Sequence, residues 1–335
     1  MVDLSTEYLG LKLKNPVIAG SSGLTNSVKS IKELEENGAG AVVLKSIFEE
    51  EIAFEYEDIL KEAESKGYNL DQFDYYDYKI KEDNLDKYTT LINESKKNVS
   101  IPVIASVNCV YSHEWLAFAS QLEKAGADAL ELNMFFLPSD FERTSEDKEK
   151  AYFQIIEQVQ KAVNLPIALK ISYYFSNLGP MIQKLSSTGV SGLVLFNRFF
   201  SPDFDIDKFE VKSSNVFSAP SDLSISLRWI AIMAERVNCD LAASTGVHDG
   251  EALIKQLLAG ADAVQVASTL YKNGKGRIGE MLKTLEDWMK SKGYGSLSDF
   301  RGKMSQAKSS NPAAYERAQF MKYFGGKKQK DPDPA

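Results

Sequence analysis

Short apolar segments alternate with amphipathic segments along most of this chain. Most of the apolar segments are continuous runs rather than alternating patterns, which is typical of parallel strands covered on both faces. Eight segments have this character, and a β-strand is predicted over each of them: 16–20, 41–47, 102–107, 129–134, 166–171, 192–196, 240–244 and 263–267.

The segments between these strands have the residue spacing of amphipathic helices. The predicted helices cover 28–37, 115–125, 148–163, 178–187, 223–237 and 251–258. Four helix–strand junctions repeat one phrase, a Gly and a small residue before the apolar run: ENGAGAVVLKS, KAGADALELN, STGVSGLVLFN and LAGADAVQVAS. Glycine ends a helix readily because it adopts the left-handed conformation without steric cost. This repeated strand–helix unit predicts an α/β protein, a single-domain (β/α)8 TIM barrel.

A doubly wound Rossmann-type sheet is the structural alternative, and the absence of a Gly-x-Gly-x-x-Gly turn after the first strand counts against it. Two segments interrupt the regular repeat: 48–83, which is acidic and rich in tyrosine, and 198–220, which follows the sixth strand. Insertions of this kind lie at the catalytic face of a barrel, so both are candidate lids or substrate walls. A surface excursion or a dimer contact is the alternative. The barrel is assigned to 1–325, and the polar tail 326–335 is expected to be disordered.

Composition and charge exclude several classes of function. The chain has 335 residues and a net charge of −8, which argues against a nucleic-acid partner. Its two cysteines, Cys109 and Cys239, have no partner at metal-ligand spacing, so we expect no metal site, iron–sulfur cluster or disulfide framework. No apolar run approaches the roughly 18 residues that a membrane span needs, and no signal peptide is visible. We therefore expect a cytoplasmic protein that does not enter a membrane.

Polar residues follow the predicted strands at their carboxyl ends, where the active site of a barrel lies. Because an unpaired buried charge is costly, lysines at such positions must reach water, a carboxylate or an anionic ligand. Lysines and asparagines at matching strand ends favour a polar ligand pocket over isolated salt bridges. The candidate cofactor-binding residues are Ser21, Ser22, Lys45, Ser46, Asn108, Asn133, Lys170, Asn197, Thr245, Gly246, Ser268 and Thr269.

The last two strand ends indicate a phosphate group on the ligand. The phrase AASTGVHDGE carries a Ser-Thr-Gly turn into a helix, and QVASTLY carries a second turn of small hydroxyl residues. Barrels often bind phosphate with the loops after strands seven and eight, using backbone N–H groups and a helix N-terminus. Phosphate-binding barrels without a flavin share this feature.

These motifs resemble, almost end to end, the dihydroorotate dehydrogenase family of FMN barrels. LGLKLKNPVIAGSS at 9–22 resembles the opening strand of that family, and GAGAVVLKS at 38–46 resembles the second. ALELN and IALKISYYF resemble the fourth and fifth strands, TGVHDGEALIKQLLAGADAVQVASTL the phosphate-binding end, and YGSLSDFRGKMS the final region. The resemblance implies FMN, with Lys45 at the flavin lysine, Asn133 shared by flavin and substrate, and Lys170 beside the flavin N1/C2=O edge. It also implies a homodimer.

The chain departs from the family pattern at the catalytic base. Soluble dihydroorotate dehydrogenases carry Asn-x-Ser-Cys-Pro-Asn, with cysteine as the base, and the membrane-bound branch has serine there. This chain has Phe136 at that position, which cannot accept a proton. The Asn-x-x-Gly substrate loop is not recognisable in 48–83 either. With LVLFNRF at 193–199, the chain most resembles a bacterial dihydroorotate dehydrogenase-like branch. Candidates for a replacement acid or base are Tyr173, Tyr174, Ser139 and Asp140.

Three hypotheses follow for function. The first is an FMN oxidoreductase in which Lys45, Lys170 and Tyr174 serve catalysis on a small, pyrimidine-like substrate. The second is an FMN-binding protein that has lost dihydroorotate oxidation and acts as a partner or electron-transfer module. The third is a flavin-free phosphate-binding aldolase or isomerase. The electron acceptor stays open between fumarate, NAD through another subunit, and another compound.

Overall fold

A computed structural model describes residues 2–48, 73–108, 114–134, 139, 141, 144–198, 201–214 and 216–316, with side chains of 73–83 and 114–118 left out. Its strands are β1 (Thr6–Tyr8), β2 (Leu11–Leu13), β3 (Val17–Ala19), β4 (Ala41–Val43), β5 (Ile47–Phe48), β6 (Val103–Asn108), β7 (Ala129–Met134), β8 (Ile167–Ile171), β9 (Gly192–Leu195), β10 (Ser201–Asp205), β11 (Glu210–Ser214), β12 (Asp240–Ser244) and β13 (Ala263–Val266). Its α-helices are α1 (Val28–Glu36), α2 (Phe73–Asn98), α3 (Glu114–Lys124), α4 (Ser145–Ala162), α5 (Leu178–Ser186), α6 (Leu223–Met233), α7 (Gly250–Ala259), α8 (Ser268–Asn273) and α9 (Arg277–Lys292).

The parallel strands close into the predicted barrel. The sheet runs β4–β3–β13–β12–β9–β8–β7–β6–β5, and β4 also pairs with β6. The second barrel strand is therefore split into β4 and β5, both of which pair with β6. Counting these two as one, the barrel has eight strands. The (β/α)8 prediction is confirmed, with a strand in each of the eight predicted segments.

The strands separate two apolar layers. Outward residues such as Leu130, Leu169 and Val264 pack with the helices, whereas inward residues such as Ala129, Ala168 and Ala263 form a second cluster inside the barrel. Because both faces of each strand are buried, the sequence of each strand is largely apolar. Successive inward positions lie two residues apart, so a polar residue two positions after an inward alanine also points into the barrel.

A small hairpin of β1 and β2 closes the amino-terminal end of the barrel. Its strands are antiparallel, and Tyr8 and Leu9 are buried against the start of β9. Leu9 N donates to Asp240 Oδ2 at 2.7 Å, and Arg301 Nη1 lies 3.0 Å from Asp262 Oδ1. Leu241 N also donates to Asp262 Oδ2 at 2.8 Å. These contacts connect the hairpin, the last two strands and the region around Arg301. They lie at the end of the barrel opposite the carboxyl ends of the strands.

The partly buried carboxyl of Asp262 makes stability depend on pH. Burial raises its pKa from the ordinary 3.8 to about 6, although the Leu241 N–H and Arg301 act in the opposite direction. The folded state therefore binds a proton more tightly than the unfolded state, so this stabilisation is present below about pH 4 and is lost as pH rises to about 6. In urea unfolding, the Asp262→Asn variant should gain about 2–3 kcal/mol relative to wild type across that interval. Parallel stability curves for the two proteins would contradict this.

Several elements differ from the sequence prediction. Helix α2 begins at Phe73, so 73–83 of the predicted 48–83 insertion belong to a helix, and 49–72 lie outside the described residues. Segment 198–220 contains an antiparallel hairpin, β10 and β11, that had not been predicted. The predicted helix 223–237 ends at Met233. The tail 326–335 lies outside the described residues, so its disorder stays a prediction. None of the helices in the described ranges is long and apolar enough to span a membrane.

Candidate active site

A cavity of about 400 Å³ lies at the carboxyl end of the strands, the face where barrels place their active sites. Its volume is in the usual range for a small-molecule site. Residues of the β10–β11 segment, among them Ser201 and Ser214, form part of its wall. Several of the residues predicted from strand ends line it: Ser21, Lys170, Asn197, Thr245, Gly246 and Ser268.

The base of the cavity holds a buried charge network. Lys170 Nζ donates to Gln265 Oε1 at 2.9 Å and lies 3.5 Å from Glu131 Oε1. Gln265 Nε2 donates to Glu131 Oε2 at 2.5 Å. All three residues are more than nine-tenths buried, and Glu131 is only 1% exposed. The lysine is therefore held in a fixed orientation with its ammonium group at the cavity.

A second network joins hydroxyl groups from the first three barrel strands to Asn133. Ser46 Oγ contacts Ser21 Oγ at 3.0 Å and Ser106 Oγ at 2.6 Å, and Asn133 Nδ2 donates to Ser46 Oγ at 2.5 Å. Tyr88 Oη accepts from Ser106 N at 2.9 Å, and burial raises the pKa of this tyrosine. Asn133 Oδ1 is buried without a hydrogen-bond partner among the described residues. An N–H group of a ligand would satisfy this acceptor.

The loops after β12 and β13 approach one another at the other end of the cavity. Thr245 has φ of +76° and Gly246 φ of +81°, so two successive residues adopt the left-handed conformation and turn the backbone sharply. Thr245 Oγ1 donates to Phe196 O at 3.1 Å, which holds this turn. Helix α7 is capped by the carboxylate of Asp249, which accepts from Ala252 N at 2.8 Å. The backbone around Gly246 and the Ser268 turn, rather than the start of α7, is thus what faces the cavity.

Ser218 and His248 support the loop that covers this end. Ser218 N donates to Ser268 Oγ at 3.0 Å, and Ser218 Oγ contacts His248 Nε2 at 3.0 Å. Lys272 Nζ donates to Ser218 O at 2.9 Å. Burial, with Lys272 nearby, lowers the pKa of His248, so the imidazole is neutral at neutral pH. His248 does not line the cavity, and its contacts are those of a residue that supports a loop.

A smaller cavity of about 180 Å³ adjoins the first one. Asn197 and Arg198 line both, and Tyr173 and Tyr174 line the smaller cavity with their rings stacked at 4.7 Å. Arg198 Nη1 donates to Val216 O at 2.7 Å. The hydrogen bond with Tyr174 raises the pKa of Tyr173, and its partial burial acts in the same direction. A cation, an amide and two phenols therefore meet beside the main cavity.

Some predicted site residues lie away from the cavity wall. The Ser22 hydroxyl caps the short helix Gly23–Thr25 by accepting from Leu24 N, and buried Thr269 donates to His248 O at 3.0 Å. Lys45 and Asn108 are half-buried at the ends of β4 and β6. Phe136 and Asp140 lie outside the described residues, and Ser139 is exposed.

The comparisons with known proteins agree with this geometry. The family model for dihydroorotate dehydrogenase matches residues 3–289. The chain belongs to the dihydroorotate dehydrogenase family. It is 26% identical over 313 residues to the catalytic subunit of dihydroorotate dehydrogenase B (NAD(+)) of Thermoplasma volcanium, covering 90% of this chain and 98% of that protein. The protein of the same name from Pyrococcus furiosus is 24% identical over 309 residues, covering 90% of this chain and 98% of that protein.

As a member of this family, the protein is an FMN-dependent oxidoreductase acting on CH–CH donors, which confirms the reaction class of the first hypothesis. The described residues fit FMN. Lys170 lines the cavity and offers a charged donor to a polar ring, and on the neighbouring strand Asn133 Oδ1 is a buried acceptor without a partner among the described residues. The small residues at Gly246 and Ser268 let backbone N–H groups approach a phosphate. Bound FMN supplies the two-electron redox chemistry.

Sequence reasoning missed Glu131 and Gln265, which are central to the buried network. Each is a polar residue inside a largely apolar strand, at a position that faces into the barrel. Glu131 lies in ALELN and Gln265 in AVQVA. A polar side chain at an inward position of a buried strand is a signal that was available. Ser106, in the third barrel strand, has the same signature.

Proposed function

We propose that this flavoprotein oxidises or reduces a C–C bond in a small pyrimidine-like ring, with dihydroorotate as the leading candidate. Oxidation of CH–CH to C=C removes two electrons and two protons from the substrate. Bound FMN would accept the electron pair with one hydrogen, and a base would take the other hydrogen as a proton. The observation that carries the proposal is the cavity wall that Lys170, Asn197 and Arg198 share, with Asn133 paired in register to Lys170 on the neighbouring strand β7.

Each group has a distinct part in this proposal. Lys170 stabilises negative charge that develops on the ring bound against it, because a fixed cation in a site with little water acts strongly. Asn133 Oδ1 accepts a hydrogen bond from an N–H of the bound ring. Arg198 and Asn197 present a guanidinium and an amide to the substrate side, which suits a substrate with a carboxylate and ring carbonyl groups.

The proton acceptor defines the alternative function. The family position of the base carries Phe136, and we propose Tyr174, stacked on Tyr173, as the group nearest to that role. If neither phenol can take the proton, the protein binds FMN but does not oxidise dihydroorotate, and it serves as an electron-transfer partner. Mixing the FMN-loaded protein with substrate under anaerobic conditions separates the two functions.

Rapid loss of flavin absorbance with dihydroorotate supports the dehydrogenase. A panel of related ring-reduced pyrimidines then reports the range of substrates. A flavin that dithionite reduces but no member of the panel reduces would overturn the proposal and favour the electron-transfer function. The Tyr174→Phe variant, compared with Tyr271→Phe outside the smaller cavity, reports whether the phenol is required for reduction.

We also propose that the protein forms a cytoplasmic homodimer through the β10–β11 hairpin. The cytoplasmic assignment rests on the small number of cysteines and stays a proposal. One face of the hairpin carries Phe204 and Val211, which lie opposite each other, with Ile206 and Phe209 beyond them, and all four are exposed. An exposed apolar patch of this kind marks an interaction surface, and a two-stranded hairpin can pair with its own copy about a two-fold axis.

A paired substitution tests the dimer. The double variant Phe204→Ser/Val211→Ser should shift the protein towards monomer in sedimentation equilibrium, because it removes apolar area from the exposed face. The control is Asp203→Ser/Lys212→Ser, which changes the neighbouring cross-strand pair on the opposite face. A wild-type monomer, or equal dissociation of both variants, would count against this interface.

A further inference from the structure

Glu131 is a charged residue in the interior of the barrel, and the function described so far does not use it. Its side chain is 1% exposed and lies beneath the cavity, between the inward alanine of β7 and Asn133. A carboxylate in such surroundings is stable only with a counter-ion and hydrogen-bond donors. The described residues supply both through Lys170 and Gln265.

The side-chain amide of Gln265 bridges the two charged groups, Lys170 and Glu131. Its carbonyl oxygen accepts from Lys170 Nζ at 2.9 Å, and its amide nitrogen donates to Glu131 Oε2 at 2.5 Å. Glu131 Oε1 has no hydrogen-bond partner in the described part of the chain and faces Lys170 Nζ across 3.5 Å. The lysine therefore has one N–H directed to Gln265 and one towards Glu131, out of three donors. The remaining donor is available to the cavity that Lys170 lines.

A negative charge at this distance reduces the positive potential that the ammonium group produces in the cavity. The interaction is strong because neither charge is exposed to water. We propose that Glu131 is a positioning residue, the buried counter-ion that orients Lys170 through Gln265 and limits how strongly the bound FMN attracts electrons. This inference rests on FMN lying against Lys170, as in the proposed function. In this inference, Glu131 determines how strongly the bound flavin attracts electrons.

The test measures the affinity of the FMN-loaded protein for sulfite, which adds to oxidised flavin and places negative charge on the ring. The Glu131→Gln variant keeps the size of the side chain and removes its charge. Sulfite should bind about tenfold more tightly to it, and the flavin should reduce at a more positive potential. Lys170→Met should weaken sulfite binding. The matched control is Glu251→Gln, on the exposed side of α7.

Unchanged sulfite affinity in folded Glu131→Gln would overturn the inference while leaving FMN binding in place. A wild-type protein that binds no FMN would overturn the flavin placement itself, so the two failures are distinguishable. If Glu131→Gln does not fold, Glu131→Asp takes its place, because the shorter side chain withdraws the carboxylate from Lys170. That variant should also bind sulfite more tightly.

Thermal unfolding of the apoprotein gives a readout that needs no flavin. Lys170→Met leaves the Glu131 carboxylate without its counter-ion, so the double variant Glu131→Gln/Lys170→Met should melt at a higher temperature than Lys170→Met alone. A double variant no more stable than the single one would show that the two charges are not coupled, and would also overturn the inference.

Discussion

Lys170→Met should lower the rate of flavin reduction by substrate about 100-fold to 1,000-fold, the range seen when one preorganised donor is removed from an active site. Lys170 lines the cavity, and its orientation is held by Gln265 and Glu131. The substitution keeps an unbranched side chain of similar length but removes the charge. Stopped-flow absorbance of FMN-loaded protein measures the rate, and titration of apoprotein with FMN measures whether affinity falls as well.

The same substitution should destabilise the fold. Removing one partner of a buried ion pair costs about 3–5 kcal/mol, because the Glu131 carboxylate stays buried without a cation. The control is Lys184→Met, an exposed lysine on α5, which should leave both the rate and the stability close to wild type. Retained FMN with an unchanged rate of reduction in Lys170→Met would remove the lysine from its assigned role.

The barrel could be predicted because every barrel strand is largely apolar on both faces. In β7 and β8, outward Leu130 and Leu169 contact the helices while inward Ala129 and Ala168 fill the interior, so each strand reads as a continuous apolar run. Helix α2 was not predicted because an acidic, tyrosine-rich segment leads into it and obscures the helical pattern. Its carboxyl half nevertheless carries buried Leu85, Tyr88 and Ile92 at helical spacing.

The β10–β11 hairpin escaped prediction for a different reason. Tight hairpins usually place Gly, Asn or Asp at positions of positive φ, and that is the signal by which they are recognised. Here Phe209 takes the positive φ of +55°, and the turn region lacks glycine. The alternation of Phe204 and Ile206 with aspartates was present, but it is also compatible with a polar surface loop.

The sequence analysis selected candidate site residues only at the carboxyl ends of the strands. Strand ends identified Asn133 and Lys170 because polar residues there follow directly on apolar runs. Glu131 and Gln265 lie one inward layer deeper, inside those runs, where a local reading of the sequence takes them for isolated exceptions. Only the closure of the barrel brings Gln265 within 2.9 Å of Lys170, across 95 residues of chain.

Gly246→Ala should disrupt the phosphate end of the cavity. Gly246 has φ of +81°, and an added Cβ would lie 2.1 Å from Leu223 N and 2.6 Å from Asp222 C, both backbone atoms. The turn after β12 must therefore move, and it would carry with it the Thr245 and Val247 backbone that lines the cavity. We expect the FMN dissociation constant to rise about 10-fold to 100-fold, as for the loss of one hydrogen bond to a charged group.

Gly293→Ala separates this steric effect from backbone strain. Gly293, which ends α9, has a similar φ of +73° in the left-handed region, but an added Cβ there would meet no atom within 4 Å. The control therefore carries only the strain of a left-handed alanine, about 1–2 kcal/mol, and should bind FMN like wild type. Gly246→Ala should lose at least that much stability and, in addition, its FMN affinity. Equal FMN affinity in the two variants would mean that the cofactor's phosphate is not held by the turn after β12, and that the donors lie elsewhere on the rim.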